Sequence, residues 1–236
     1  MGMEPWQVLA RPLRGRIDPI LENRCIMSGN VILILSAVCM QDVRRIEEQF
    51  CEIHRDARKI LRHSTGQRST STDPEDGSHF YIEEGDFRSL IESRSFLEFQ
   101  SRADEMTGTS IDEVFDAWRS SPCSILTVDP DTGLTLEMEL NKLGVTSVHC
   151  FVAPCSLDVF MSSRSNYVSA ALRRLMHGSV QGRNIGEALA RVDMYRDLFL
   201  LNVDRMRYIE YSVRNPVDTA RALSVAVSSL RAHSCT

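Results

Sequence analysis

EGDFRSLIESRSFLEFQSRADEMTGTS, residues 84–110, holds the densest structural signal in the chain. Phe87, Leu90 and Ile91 recur at helical spacing, so a short helix is expected first. A turn follows, and then Phe96, Leu97 and Phe99 form a compact apolar run, a strand with one acid, Glu98, inside it. Ser110 stands three residues before Glu113, a capping box that opens a helix carrying Val114 and Trp118. Glu98 is the anomaly. A carboxylate among aromatic side chains is costly to bury unless a donor meets it. Acids are mostly exposed, so the pattern by itself fits a half-exposed strand acid.

Outward from this stretch the chain alternates apolar runs with helical stripes. VILILS, residues 31–36, is continuously apolar, as a parallel strand covered on both faces should be. Val43, Ile46, Phe50, Ile53, Ala57 and Ile60 step by three and four, which predicts a helix over 42–61 with Asp42 as its cap. Further strands are expected at 124–128, ending at Asp129, at 146–153, and at 198–202. On residues alone Asp129 also fits an ordinary turn acid before Pro130. Leu136, Leu140 and Leu143 form a helix closed by Gly144. Ile185, Ala188, Leu189 and Val192 form another. Asn215-Pro216 opens the last helix with proline at its first position, and Ala220, Leu223, Val227 and Leu230 are its buried stripe. Strands alternating with helices imply an α/β fold with a parallel sheet.

The totals set limits on function. A chain of 236 residues, 43% of them hydrophobic and 25% charged, has the makeup of one globular domain. Its net charge of −5 leaves no basic excess for general nucleic-acid binding. No apolar run approaches the ~18 residues that a membrane span needs. Seven cysteines, an odd number with no secretory signal before them, read as reduced thiols of an intracellular protein. Cys150 and Cys155 lie near His149, but a zinc site needs three or four convergent ligands, so no metal is expected.

The 84–110 stretch resembles the guanylate kinases. Phe87, Leu90, Phe96-Leu97-Glu98-Phe99 and Gly108-Thr109-Ser110 stand in the order and spacing of that family's monophosphate-binding lobe. The resemblance spans roughly residues 30–232 and is specific mainly in this segment. It implies a three-layer parallel sheet of the P-loop nucleoside-monophosphate-kinase type with a small nucleotide-lobe insertion. It implies that Glu98 and Thr109 stand at the guanine site, since in this family the acid binds guanine. Asp129 matches the second of two strand-end acids that serve magnesium and the nucleotide, while Thr127 replaces the first. Arg173 and Arg174 match the lid arginines that close over the triphosphate. Read from the residues alone, those two arginines are one side of an amphipathic helix.

Set against the family pattern, the phosphate chemistry is depleted. The turn after the first strand, Ala37-Val38-Cys39-Met40-Gln41, has no glycine, lysine or hydroxyl. A phosphate-binding loop needs glycines so that backbone N–H groups can curl around phosphates, and a lysine to neutralise them. In the next segment His63, Ser64, Thr65, Asp76, Gly77, His79 and Phe80 echo the family. The first arginine of its phosphate clamp is replaced by Gly66, and the second by Ser69 or displaced to Arg68. Met106 and Thr107 replace its paired tyrosines.

The expectation is a catalytically inactive guanylate-kinase-like protein, without catalytic residues, metal or cofactor. Glu98, Thr109 and Asp129 would be vestigial guanine-site positions. Inactive versions of this fold also serve as interaction modules in synaptic scaffold proteins, so the partners expected are protein subunits of a larger intracellular assembly. The alternative is a divergent guanylate kinase or guanine-nucleotide-binding protein that uses ATP, GMP and magnesium. The expected organisation is an irregular arm at 1–29, interrupted by Pro5, Pro12 and Pro19, then a domain at 30–236. That domain contains a monophosphate-binding-like lobe at 62–110 and a lid-like region at 162–186. Arg11, Arg14 and Arg16 faintly resemble a mitochondrial import segment; a reducing, cytoplasmic location is expected in preference.

Overall fold

The computed structural model describes residues 29–37, 40–66, 79–102, 105–153, 155–162, 165–166, 168–169, 185–211 and 215–234. The arm before Gly29 and most of the lid-like region, with Arg173 and Arg174, lie outside the described residues, as do Val38 and Cys39 of the turn.

The apolar run forms β1 (Val31–Ala37), whose seven residues are all buried. Val31, Leu33 and Leu35 face one layer of helices, and Ile32 and Ile34 face the other. β1 therefore lies in the middle of a parallel sheet. It pairs with β7 (Cys123–Thr127) on one side and β8 (Ser147–Ala153) on the other. The edges are β2 (Arg58–Lys59), beside β7, and β9 (Met206–Glu210), beside β8. The order is β2-β7-β1-β8-β9, with every pairing parallel.

Helix α1 (Met40–Ile53) and helix α7 (Pro216–Ser234) cover one face. Val43, Ile46 and Phe50 of α1 meet Ala220, Leu223 and Val227 of α7 over the odd-numbered residues of β1. Helices α3 (Ile111–Ser120) and α4 (Pro130–Lys142) cover the other, where Val114, Phe115 and Trp118 pack with Leu136 and Leu140. A third apolar cluster joins Phe151 of β8, Phe160 of α5 (Leu157–Ser162), and Val192, Tyr195 and Phe199 of α6 (Ile185–Leu201).

The smaller sheet is built from the stretch that opened the sequence analysis. β3 (Arg62–Ser64), β4 (His79–Tyr81), β5 (Phe96–Arg102) and β6 (Glu105–Ser110) lie in the order β4-β3-β6-β5. Helix α2 (Glu84–Glu92) precedes β5 and buries Phe87 against Phe96, ring centroids 4.6 Å apart. The expected cap is present: Glu113 N–H donates to Ser110 Oγ at 3.2 Å.

Three expectations need correction. The helix predicted over 42–61 begins at Met40 and ends at Ile53. Arg58 and Lys59 instead pair in parallel with Ser124 and Ile125, and Ile60 is buried with its N–H donating to the Ile125 carbonyl at 2.8 Å. The apolar stripe continues past Ile53, but the backbone turns. The strand predicted at 198–202 is the end of α6. Val192, Tyr195 and Phe199 are all buried in one cluster, so helical periodicity governs through Leu201. The fifth strand is β9, in the segment 205–214 that is inserted relative to the family pattern; the alternation of Tyr208 to Val213 predicts a short strand there, and the structure sets it at Met206–Glu210. Finally, 105–110 is a full strand rather than only the approach to a helix.

Candidate functional site

Antiparallel pairing aligns three side chains across three strands. Thr109 of β6 is opposite Glu98 of β5, with a register irregularity between Phe96 and Glu98. On the other side His63 is opposite Gly108, which sets Arg62 beside Thr109. Arg62 Nη2 donates to Glu98 Oε1 at 2.7 Å, and Thr109 Oγ1 donates to the same oxygen at 2.6 Å. Arg62 Nε donates to Thr109 Oγ1 at 3.2 Å.

Glu98 is therefore not a half-exposed acid: it is 4% exposed. Burial is tolerated because a guanidinium and a hydroxyl supply charge-assisted donors, which shorten and strengthen the bonds. The other carboxylate oxygen, Oε2, is buried with no hydrogen-bond partner among the described residues. Arg62 had no place among the sequence-derived candidates. The only signal for it was a charged residue at the first position of a strand beside His63, a position where surface arginines are common.

The environment of this row is aromatic. His63 has ring contacts at 5.5 Å with both Phe80 and Phe96. Burial lowers its pKa, the main effect, against a smaller opposing pull from Glu113. Where the resemblance expects a phosphate-holding arginine, the backbone of Gly66 meets Glu105. A Cβ there would stand 2.7 Å from Glu105 Oε1, an oxygen held by Ser64 Oγ at 2.6 Å. A side chain at this position would have to move the exposed Glu105 carboxylate.

Asp129 lies two residues past the end of β7, at the N-terminal boundary of α4, and makes no side-chain cap bond to that helix. Its Oδ1 accepts from Tyr195 Oη at 3.1 Å. Thr127, which stands where the family has an acid, donates to Glu47 Oε2 of α1 at 3.4 Å. Lys59 lies 3.7 Å from the other oxygen of Glu47. Burial raises the Glu47 pKa, opposed chiefly by Lys59. Gln100 Nε2 of β5 donates to Thr132 Oγ1 of α4, a direct tie between the strand of Glu98 and the helix that follows Asp129. Thus Glu98 and Thr109 come together with Arg62, and Asp129 belongs to a second set bound to Tyr195.

Beneath the end of β1 lies a buried polar pair. Ser36 Oγ and His149 Nε2 are 2.7 Å apart and both residues are fully buried. Burial, reinforced by Arg205, depresses the His149 pKa to about 3, so the ring is neutral at ordinary pH. Gly133 of α4 lies against this ring: a Cβ there would come within 2.5 Å of it. His149 and Cys150 are adjacent in β8 and so point to opposite faces, which separates them as metal ligands. Burial pushes the Cys150 and Cys123 thiols up to about 12 and the Cys51 thiol up to about 11, so all three are protonated. Among the described residues there is no group of three or more histidine, cysteine or acidic side chains placed to hold a metal. No helix among them is long and apolar enough to cross a membrane.

The chain matches no protein-family model, and no curated protein matches it. Among solved structures, the guanylate kinase of Anaplasma phagocytophilum is similar, with a TM-score of 0.57 and 15% sequence identity. The likeness covers 86% of this chain and 87% of that one. With the five-stranded parallel sheet, it establishes the guanylate-kinase, P-loop type of fold and nothing about activity.

Proposed function

We propose that this chain is a catalytically inactive guanylate-kinase-like protein that serves as a structural or protein-interaction subunit of a larger intracellular assembly. One observation carries the reading: the stretch 37–41, from the last residue of β1 into the start of α1, has no glycine, no lysine and no hydroxyl. Phosphoryl transfer depends almost wholly on positioned cations and backbone donors. A loop without glycine conflicts with the backbone geometry by which such loops cradle a phosphate. The replacements at Gly66 and Thr127 remove further phosphate and magnesium contacts that the resemblance would require. Glu98, Thr109 and Asp129 then persist as vestigial site positions, and Arg173 and Arg174 as lid-like arginines without a triphosphate to close over. The protein holds no nucleotide, metal or cofactor of its own in this reading.

The interaction surfaces proposed are the N-terminal arm at 1–29 and the two segments inserted relative to the family pattern, near 178–186 and 205–214. The arm's Trp6, Val8, Leu9, Leu13, Ile17, Ile20 and Leu21 are spaced too irregularly to form their own core. Ordering such a segment costs about 1–2 kcal/mol per residue, which only extensive burial offsets. The domain at 30–236, with its lobe at 62–110, is the body to which these surfaces belong.

The second reading is a divergent guanylate kinase, using ATP, GMP and magnesium. It is favoured by the contact between Glu98 and Thr109, the two positions that the resemblance gives to guanine. Two measurements separate the readings. Calorimetric titration with Mg·ATP should give no micromolar binding, and GMP-dependent phosphoryl transfer should be absent. Turnover at ordinary kinase rates, on the order of 1–100 per second, would refute the inactive reading. Removal of residues 1–25 should abolish co-purification with partner chains while leaving the domain's melting temperature nearly unchanged.

A further inference from the structure

The Arg62–Glu98 pair is unusual in how little of the acid it uses. The two side chains are 11% and 2% exposed. A guanidinium facing a carboxylate commonly donates two parallel bonds, one to each oxygen. Here Oε1 accepts both bonds, one from Arg62 and one from Thr109, while Oε2 accepts none among the described residues. An ionised carboxylate has about four acceptor positions. This one is therefore buried with capacity left over, a state that costs free energy unless another donor can arrive.

The chemistry of the donor suggests what that arrangement stands for. Guanine presents a ring N–H and an exocyclic amine joined through one carbon, so the edge N1–C2–N2 is itself a guanidine unit. An arginine side chain carries the same planar donor set. Arg62 reaches both residues that the resemblance assigns to the base, Glu98 at 2.7 Å and Thr109 at 3.2 Å. It does so from the neighbouring strand, through the register His63–Gly108 and Glu98–Thr109.

We propose that Arg62 is an internal occupant of the base site: its guanidinium holds the position on Glu98 and Thr109 that the guanidine edge of a guanine base would take, and keeps that site shut to nucleotides. The proposal rests on reading Glu98 and Thr109 as remnants of a guanine site. It adds that the site is blocked by one side chain rather than dismantled. The ligand class it excludes is a purine with an N–H and an amine on adjacent positions. Adenine, which offers an acceptor at the ring nitrogen, should be indifferent to the block.

The test compares the full chain with Arg62→Ser by calorimetric titration with GMP and with AMP. Serine removes the guanidinium and leaves Glu98 and Thr109 in place. R62S should bind GMP at least roughly tenfold more tightly than the unaltered protein, a change of about 1.4 kcal/mol, with AMP affinity unchanged. A merely structural ion pair would lower stability on substitution without creating base selectivity. If R62S does not fold, R62Q takes its place, since the glutamine amide can still donate to the acid but lacks the charged fork. Equal GMP affinity in variant and unaltered protein, or no GMP binding by a folded variant, overturns the proposal. The inactive-subunit reading fails on a different result, phosphoryl transfer or micromolar Mg·ATP binding by the unaltered chain, so the two can fall separately.

Discussion

In the five-stranded sheet, β1 buries seven residues between two apolar layers, and its charged neighbours are kept to the edges. In the four-stranded sheet, β5 and β6 bury a carboxylate, and the strand beside them supplies an arginine to meet it. The two regions thus handle burial by different physics. Apolar packing is non-directional and degrades gradually when one side chain is trimmed. A buried ion pair is directional, and losing either member leaves an uncompensated charge. The contrast explains how a chain with a glycine-free turn can keep the fold. The strands around that turn are held by packing that does not depend on phosphate chemistry, whereas the buried acid of the smaller sheet persists only with a fixed partner.

The largest effect should come from splitting the pair. Glu98→Ala leaves the Arg62 guanidinium 11% exposed without its carboxylate and should cost about 3–5 kcal/mol in denaturant unfolding. Replacing both residues by leucine should cost far less than that. Leu33→Ala, in the apolar sheet, is the comparator and should cost about 2–5 kcal/mol with no partner substitution able to restore it. If E98A costs under about 1 kcal/mol, the charge pair does not hold the smaller sheet and the contrast disappears.

Acid sharpens the comparison from the other side, because the apolar sheet contains the buried Ser36–His149 pair. The His149 pKa in the folded protein, about 3, lies below its ordinary value of 6.5, so the unfolded chain takes up the proton first. Its contribution is intact above pH 6.5 and is lost as the pH falls towards about 3. At pH 4 the loss should reach about 3 kcal/mol relative to pH 7. His63, also lowered by burial, acts in the same sense, while Glu47 and Glu137, raised by burial, act in the opposite one. The measurement is therefore a difference: His149→Gln should show an acid-induced loss smaller than the unaltered protein's by that amount. Parallel pH profiles would mean that the imidazole does not titrate on unfolding.

The smallest effect belongs to neither form of burial. Ser110→Ala removes one cap bond at the start of α3 and should cost about 1 kcal/mol by thermal unfolding. A much larger loss would show that Ser110, next to Thr109, supports the charge row as well as the helix.

The sequence by itself determined β1, β7, β8, the last helix and the cap at Ser110, because each is written in local periodicity or in a side chain bonding three residues away. It marked Glu98 as out of place, and it displayed the absence of glycine and lysine at 37–41 directly as residue types. Local pattern failed where a helical stripe and a strand share the same apolar residues. Ala57 and Ile60 extend the stripe of α1, yet the backbone leaves it at Ile53. Leu198 to Leu201 look like a strand, yet the packing of Tyr195 and Phe199 keeps them helical. Only the tertiary structure decided that Arg62 meets Glu98, a partner 36 residues away. It alone decided that His149 pairs with Ser36 across 113 residues, and that Gly133 leaves room for that ring. The reason is physical: periodicity reports which face of an element is buried, while the partner of a buried polar group is set by strand register and sheet order, which no single segment contains.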